Sequence, residues 1–221
     1  MREPIKRVWA READFAGEGV LTFRGSWDSL RKIGTAVLRE NVLESETRKA
    51  FNIDSEICRT RRWEWPWAMM EMEQDGSGDL LGGPQRVLDI GCGFRPFTIW
   101  LRQHGHAVMA VDDMSWATKE DLPMLLGLQG IGFIQTDARR LPFLPQVFDY
   151  AFCISVLEHE EPAAVRSIIE EACRVTRKRF IVTVDATSVV AHLLPKEPEP
   201  EDVIRTSGGA PIAGLVFDGG F

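Results

Sequence analysis

The stretch VLDIGCGFRPFTIWL, residues 87–101, is an apolar run that breaks at Gly91-Cys92-Gly93 and resumes with helical spacing. Glycines at such a break let the backbone turn sharply and approach a ligand with no Cβ in the way. Asp112 closes the next apolar run, 19 residues after Gly93. An acidic side chain at that place can accept hydrogen bonds from both hydroxyls of an adenosine ribose. Together the two features describe a binding loop for an adenosine-bearing molecule.

The charges around the loop say which kind. A dinucleotide brings a pyrophosphate, which is stabilised by helix N-terminal amides and disfavoured by nearby carboxylates. Here Asp89 precedes the first glycine by two residues, and Asp113 follows Asp112. The third glycine of the dinucleotide fingerprint, which serves close helix packing beside the pyrophosphate, is absent, and Arg95-Pro96 stands in its region. Acidic surroundings would instead stabilise a ligand carrying a sulfonium and an ammonium group. The loop therefore suits a cationic adenosine ligand better than a dinucleotide; NAD and S-adenosylmethionine both carry the ribose.

The elements that must position these residues follow from the apolar pattern. RVLDIG (86–91), HAVMAVD (106–112), GFIQTD (132–137), FDYAFCIS (148–155) and RFIVTVD (179–185) are short runs rich in Val, Ile and Phe, as strands buried on both faces of a parallel sheet require. Between them PFTIWLRQHG, SWATKEDLPMLLGLQG and EPAAVRSIIEEACRVTR read as helical. In the last, Pro162 fits the first turn, and Ala164, Ile168, Ala172 and Val175 recur at helical spacing; Pro123 divides the middle one. The alternation predicts an α/β fold, a doubly wound, Rossmann-like and mostly parallel sheet whose ligand crevice opens at the carboxyl ends of the strands.

Upstream, SWDSLRKIGTAVLRENVLESETRKAFNI places Leu30, Ile33, Val37 and Leu38 on one stripe. Residues 1–80 are accordingly expected as an N-terminal helical cover and linker, with a hinge in the glycine-rich QDGSGDLLGGPQ (74–85), and residues 81–221 as the binding domain. RTRRWEWPW (59–67) holds three arginines and three tryptophans in nine residues. Three readings are open for it: a surface that stacks on bases and contacts phosphates, a wall of an acceptor pocket, or a seal between cover and sheet; a helical lid over the acceptor site is expected rather than a nucleic-acid surface. Trp63, Trp65 and Trp67 alternate, which would put them on one side of an extended segment.

Composition bounds the rest. A chain of 221 residues with 44% hydrophobic and 27% charged residues can bury a core, yet it has no unbroken apolar run of roughly 18 residues that would span a bilayer. MREPIKRVWAREADF lacks the apolar centre of a secretory signal, so a cytoplasmic location and no membrane partner are expected. Cys58, Cys92, Cys153 and Cys173 form no C-x-x-C pair, which argues against a zinc knuckle and a disulfide scaffold, and no metal is expected. A net charge of -7 gives little long-range pull on nucleic acid.

Taken in order, VLDIGCG, the acidic end of HAVMAVD, TDARRLPF and FDYAFCISVLEH resemble the class I S-adenosylmethionine-dependent methyltransferases, especially the small-molecule branch, over residues 85–185. The resemblance implies a loop of Asp89, Gly91, Cys92 and Gly93 around the methionine part of the cofactor and Asp112 on the ribose. It further implies Asp113 or Met114 beside the adenine, Asp137 and Ala138 at the adenine edge, and Ser155 and Val156 under the reacting methyl. Methyl transfer is an in-line displacement in which the enzyme mainly holds an acceptor lone pair behind the methyl carbon. For a hydroxyl or carboxylic acid acceptor, His159 beside Glu158 is the candidate base, although L-E-H in this family often serves packing and helix entry. The closing antiparallel strand pair of the family has little sequence left to come from. IAGLVFDG (212–219) can supply one strand, so a shortened C-terminal end of the sheet is left open. The function expected is methyl transfer to a small molecule. A non-catalytic partner subunit, a nucleic acid or protein methyltransferase, and a nucleotide-binding oxidoreductase are the rivals.

Overall fold

The computed structural model describes residues 2–11, 14, 28–33, 35–36, 60–73, 83–93, 95–115, 123, 126–127, 129–196 and 199–219. The elements in chain order are β1 (Lys6–Trp9), α1 (Arg61–Glu73), β2 (Arg86–Ile90), α2 (Pro96–Gln103), β3 (Ala107–Asp112), β4 (Gly132–Gln135), β5 (Phe148–Ile154), α3 (Pro162–Val175), β6 (Thr176–Asp185) and β7 (Ile212–Asp218), with single 3₁₀ turns at Leu157–His159 and Ala191–Leu193. The hinge expected in 74–85 lies almost wholly outside the described residues, as do Val37, Leu38 and most of 116–128.

One seven-stranded sheet runs in the order β1-β7-β6-β5-β2-β3-β4. β2 through β6 are parallel to one another, while β7 is antiparallel to both β6 and β1. β5 is buried along its whole length, which explains why FDYAFCI shows no polar alternation: a central strand covered on both faces is apolar nearly throughout, and its one charge, Asp149, is ion-paired with Arg86 and Arg177. Alternation survives in which face each residue enters. Val87, Tyr150, Phe152, Ile154 and Ile181 join a cluster with Trp63, Trp65, Trp67 and Phe97, whereas Leu88, Ile90, Ala151, Cys153, Phe180 and Val182 join Val165, Ile168, Ile169 and Ala172 of α3.

Proline starts both helices that flank β2 and β5 on the chain. Pro96 and Pro162 occupy the first turns of α2 and α3, where a missing N–H leaves no orphan donor. Neither helix has a side-chain cap, so apolar burial carries them: Pro96–Leu101 of α2 are all buried, and so are seven residues along α3, Ala164 to Val175.

The C-terminal end of the sheet is not shortened. β7 comes from the expected IAGLVFDG stretch, and the strand beyond it is β1, paired through Lys6↔Val216 to Trp9↔Ala213. The segment expected as a helical cover therefore begins with a strand of the main sheet. Four residues of mixed charge and exposure give no period that a sequence reading could separate from a loop; only the partner strand, more than 200 residues away, defines it. Residues 28–33 are helical and bury Leu30 and Ile33, as the apolar stripe requires.

The tryptophan-rich stretch is helix α1, not an extended segment. On a helix, positions two apart lie on nearly opposite faces, and the structure has tryptophan on both: Trp63 stacks on Trp67 with ring centres 5.0 Å apart, while Trp65 stacks on Phe97 at 6.4 Å. All three are buried, because α1 packs across β5, β6 and β7. A Cβ placed on Gly214 of β7 would lie 2.5 Å from the Trp67 ring, so glycine there is what lets the indole lie flat on the sheet. Lys6 of β1 is ion-paired with the buried Glu71 of α1, which ties helix and edge strand together.

Candidate active site

The chain order reverses at β2, which has β3 on one side and β5 on the other. A cavity of about 700 Å³ opens there at the carboxyl ends of the strands, the place where open α/β sheets bind ligands and a size within the usual range of about 300–1,000 Å³ for small-molecule sites.

The glycine loop forms its near wall. Gly91 and Gly93 have φ of +65° and +51°, a left-handed conformation that glycine adopts without strain. The Gly91 and Cys92 N–H groups donate to the Val111 carbonyl at 2.9 and 3.2 Å, which turns the chain back over β3. A Cβ on Gly91 would fall 2.5 Å from Val156 Cγ2. The loop after β2 and the loop after β5 thus touch through a contact that only glycine permits.

Asp112 holds the end of β3 in the same web. Its carboxylate accepts the Gly93 N–H at 3.0 Å and the Met114 N–H at 2.8 Å, and it lines the cavity. Asp113, Ser155, Val156 and His159 line it too, as do Asp137 and Ala138. Of the candidate residues, Asp89, Cys92, Met114 and Glu158 are absent from the described lining. Asp89 lies beneath the loop and accepts the Thr98 hydroxyl of α2 at 2.6 Å. Burial pushes its carboxyl up to about 7, with the nearby Asp112 adding to the effect and Thr98 and Arg95 opposing it. Its negative charge at the loop is therefore only partial at neutral pH. Burial likewise pushes the Cys92 thiol up, and the side chain packs in the core.

The cavity also has residues that the spacing argument passed over: Arg95, Ser115, Thr136, Arg139 and Glu160 among them. Arg139 grips Asp137 with two nitrogens, Nε at 2.8 Å and Nη2 at 2.6 Å from Oδ2, and this pairing holds the Asp137 carboxyl below its ordinary range. The T-D-A-R run carried that signal, since residues two apart in a tight turn can reach each other. With Asp137 neutralised, Asp112, Asp113 and Glu160 still outnumber Arg95. Burial and the neighbouring acids raise the Glu160 carboxyl.

Ser155, also in the lining, is a non-glycine residue at φ +49°. It is held by helix α1. The Arg61 guanidinium donates to Ser155 Oγ and to Glu64 Oε2 at 2.5 Å. Glu64 Oε1 accepts the Ser155 hydroxyl at 2.5 Å and the Thr183 hydroxyl of β6 at 2.6 Å. Glu64 is fully buried; burial would raise its carboxyl, but the Arg61 charge and the two hydroxyls outweigh that and leave it below its ordinary range. Removing one partner of such a buried pair typically costs about 3–5 kcal/mol. In the sequence Glu64 reads as a polar break in WEWPW, and no spacing links it to a serine 91 residues away.

His159 and Glu158 part company. His159 is exposed at the cavity edge, whereas Glu158 is buried with neither carboxyl oxygen hydrogen-bonded, and burial, reinforced by Asp185 and Glu64, pushes it up to about 8. None of Trp63, Trp65 and Trp67 lines the cavity. Arg61 is spent inside the fold, Arg62 is exposed, and Arg59 lies outside the described residues.

Residues 88–182 match a family model described as a methyltransferase domain. A ubiquinone biosynthesis O-methyltransferase of Neisseria meningitidis is 31% identical over 96 residues, 41% of this chain, and the chain spans 40% of that relative's length. Among solved structures, the magnesium protoporphyrin IX methyltransferase of Synechocystis PCC 6803 with bound SAH superposes with a TM-score of 0.53 at 16% identity, over 90% of this chain and 100% of that one. The PH0226 protein of Pyrococcus horikoshii OT3 gives 0.52 at 20% identity, over 76% and 94%. The fold is shared across these structures, and residues 88–182 are similar to a methyltransferase domain.

Proposed function

We propose that the chain transfers a methyl group from S-adenosylmethionine to a small-molecule acceptor. The observation that carries this reading is the cavity at the sheet's reversal point, with two left-handed glycines and Asp112 joined by a hydrogen bond in its wall. The residues fit the cofactor: the glycines leave room for the methionine part, Asp112 brings an acidic acceptor to the cavity for the ribose hydroxyls, and Asp137 with Ala138 offers an edge for adenine. The excess of acid over base in the lining suits a cationic ligand. When bound, the cofactor supplies an electrophilic methyl on a sulfonium centre.

The chain's own task is then to exclude water and align the acceptor. Ser155 and Val156 form the floor under the methyl. His159 is the residue proposed to take a proton from a hydroxyl acceptor, because it is at the cavity edge. Glu158 is held neutral by burial at neutral pH, which favours His159 over it as the base. The chain's similarity to an O-methyltransferase over 96 residues makes hydroxyl acceptors the first class to screen.

Calorimetric titration with S-adenosylhomocysteine tests the reading directly. Binding supports it. NAD binding without S-adenosylhomocysteine binding would favour an oxidoreductase, and binding of neither a non-catalytic subunit. A metabolite screen with methyl-labelled cofactor then identifies the acceptor.

A further inference from the structure

Helix α1 contributes nothing to the described cavity lining, yet it reaches the site through polar contacts to one residue, Ser155. Glu64 and Arg61 grip the Ser155 hydroxyl from below, and Thr183 of β6 fixes Glu64 in turn. Ser155 is at φ +49°, a conformation that costs a residue with a Cβ and persists where its surroundings enforce it. Its N–H donates to the Thr183 carbonyl at 2.9 Å, so one neighbour, Thr183, secures both the backbone of Ser155 and the acid that holds its side chain. The next residue, Val156, rests directly on Gly91. The path from α1 to the glycine turn is therefore Glu64, Ser155, Val156, Gly91, each step a hydrogen bond, a peptide link or a van der Waals contact.

We propose that Glu64 and Arg61 are positioning residues for the cofactor site: by clamping Ser155 in its left-handed conformation they set Val156 against the glycine turn and so fix the shape of the cofactor pocket. The inference rests on the proposed methyltransferase reading. A purely structural pair would stabilise the fold without affecting ligand affinity. A positioning pair couples to Ser155 specifically, because glycine at 155 needs no clamp to reach φ +49°.

The test is calorimetry of S-adenosylhomocysteine binding to the wild type, Glu64→Ala, Glu64→Gln, Ser155→Gly and the Glu64→Ala/Ser155→Gly double variant. Glu64→Ala is expected to weaken binding about tenfold relative to wild type. Glu64→Gln keeps an oxygen for both hydroxyls but turns its NH2 toward the Arg61 guanidinium in place of Oε2, and is expected to recover only part of that loss. Against the Ser155→Gly background, whatever affinity that variant has, Glu64→Ala is expected to remove little more. Equal losses in both backgrounds, or a Glu64→Ala affinity within about twofold of wild type, would overturn the inference while leaving the methyltransferase reading intact. A wild type that does not bind S-adenosylhomocysteine would overturn both. Should Glu64→Ala fail to fold, Thr183→Val removes one of the hydrogen bonds to Glu64 with little change of shape. Its loss of affinity must likewise disappear in the Ser155→Gly background, and a loss that persists there counts against the proposal.

Discussion

Replacing Glu158 by glutamine should make the protein less sensitive to alkali. The side chain is 8% exposed, neither oxygen has a hydrogen-bond partner, and burial pushes its pKa from 4.5 to about 8. The folded state therefore holds a proton that the unfolded chain releases above pH 4.5. Proton uptake on folding means that stability falls as pH rises through this window and levels off above pH 8. At about 1.4 kcal/mol per unit, a shift of this size amounts to roughly 5 kcal/mol in all, of which about 2–3 kcal/mol falls between pH 6 and pH 9. Glutamine has the shape of the protonated acid and does not titrate. Any fixed cost of burying its amide is the same at both pH values and cancels. Urea denaturation of wild type and Glu158→Gln at pH 6 and pH 9 measures the difference. The variant should gain about 2–3 kcal/mol on the wild type between the two. A stability difference that is the same at both pH values would mean that Glu158 is hydrated or paired in solution, and would refute the argument.

Asp112→Ala should weaken S-adenosylhomocysteine binding by about ten- to a hundredfold, the loss of a hydrogen bond to a charged group worth roughly 1.5–3 kcal/mol, as calorimetry would read. Gly91→Ala combines a left-handed backbone with a Cβ 2.5 Å from Val156, and thermal denaturation should show a destabilisation of about 1–3 kcal/mol that Val156→Ala partly relieves. His159→Ala should lower turnover by roughly a hundredfold or more on a hydroxyl acceptor with cofactor affinity nearly unchanged; equal loss of both would return this histidine to a packing role.

The core of the fold was legible because its signals are local. Strands β2 to β6 announce themselves as apolar runs, and Pro96 and Pro162 mark where helices begin. Asp112 could be read from its distance to Gly93, since a strand-turn-helix-strand unit has a nearly fixed length. What escaped depends on tertiary contact. β1 is a strand only because β7 is beside it, and the tryptophans looked like an extended ribbon because their spacing of two fits a strand as well as a helix buried on both sides. By spacing Asp89 reads as a charge at the loop, but its position under α2 leaves that charge only partly developed at neutral pH. Glu64 had no signal at all, because its partners are 91 and 119 residues away.

The place of β1 at the sheet's edge sets an order of events during synthesis. Its partner β7, buried at every position but the last, emerges from the ribosome some 200 residues later, which at about 5–20 residues per second is a delay of roughly 10 s or more. Through that interval the five parallel strands can assemble around α2 and α3, while the first strand has nothing to pair with. Once β7 docks, its outer edge stays bare until Lys6–Trp9 returns to cover it, and an uncovered, flat, apolar edge is a template for pairing with another chain. A nascent protein deprived of those four residues would carry its own adhesive surface.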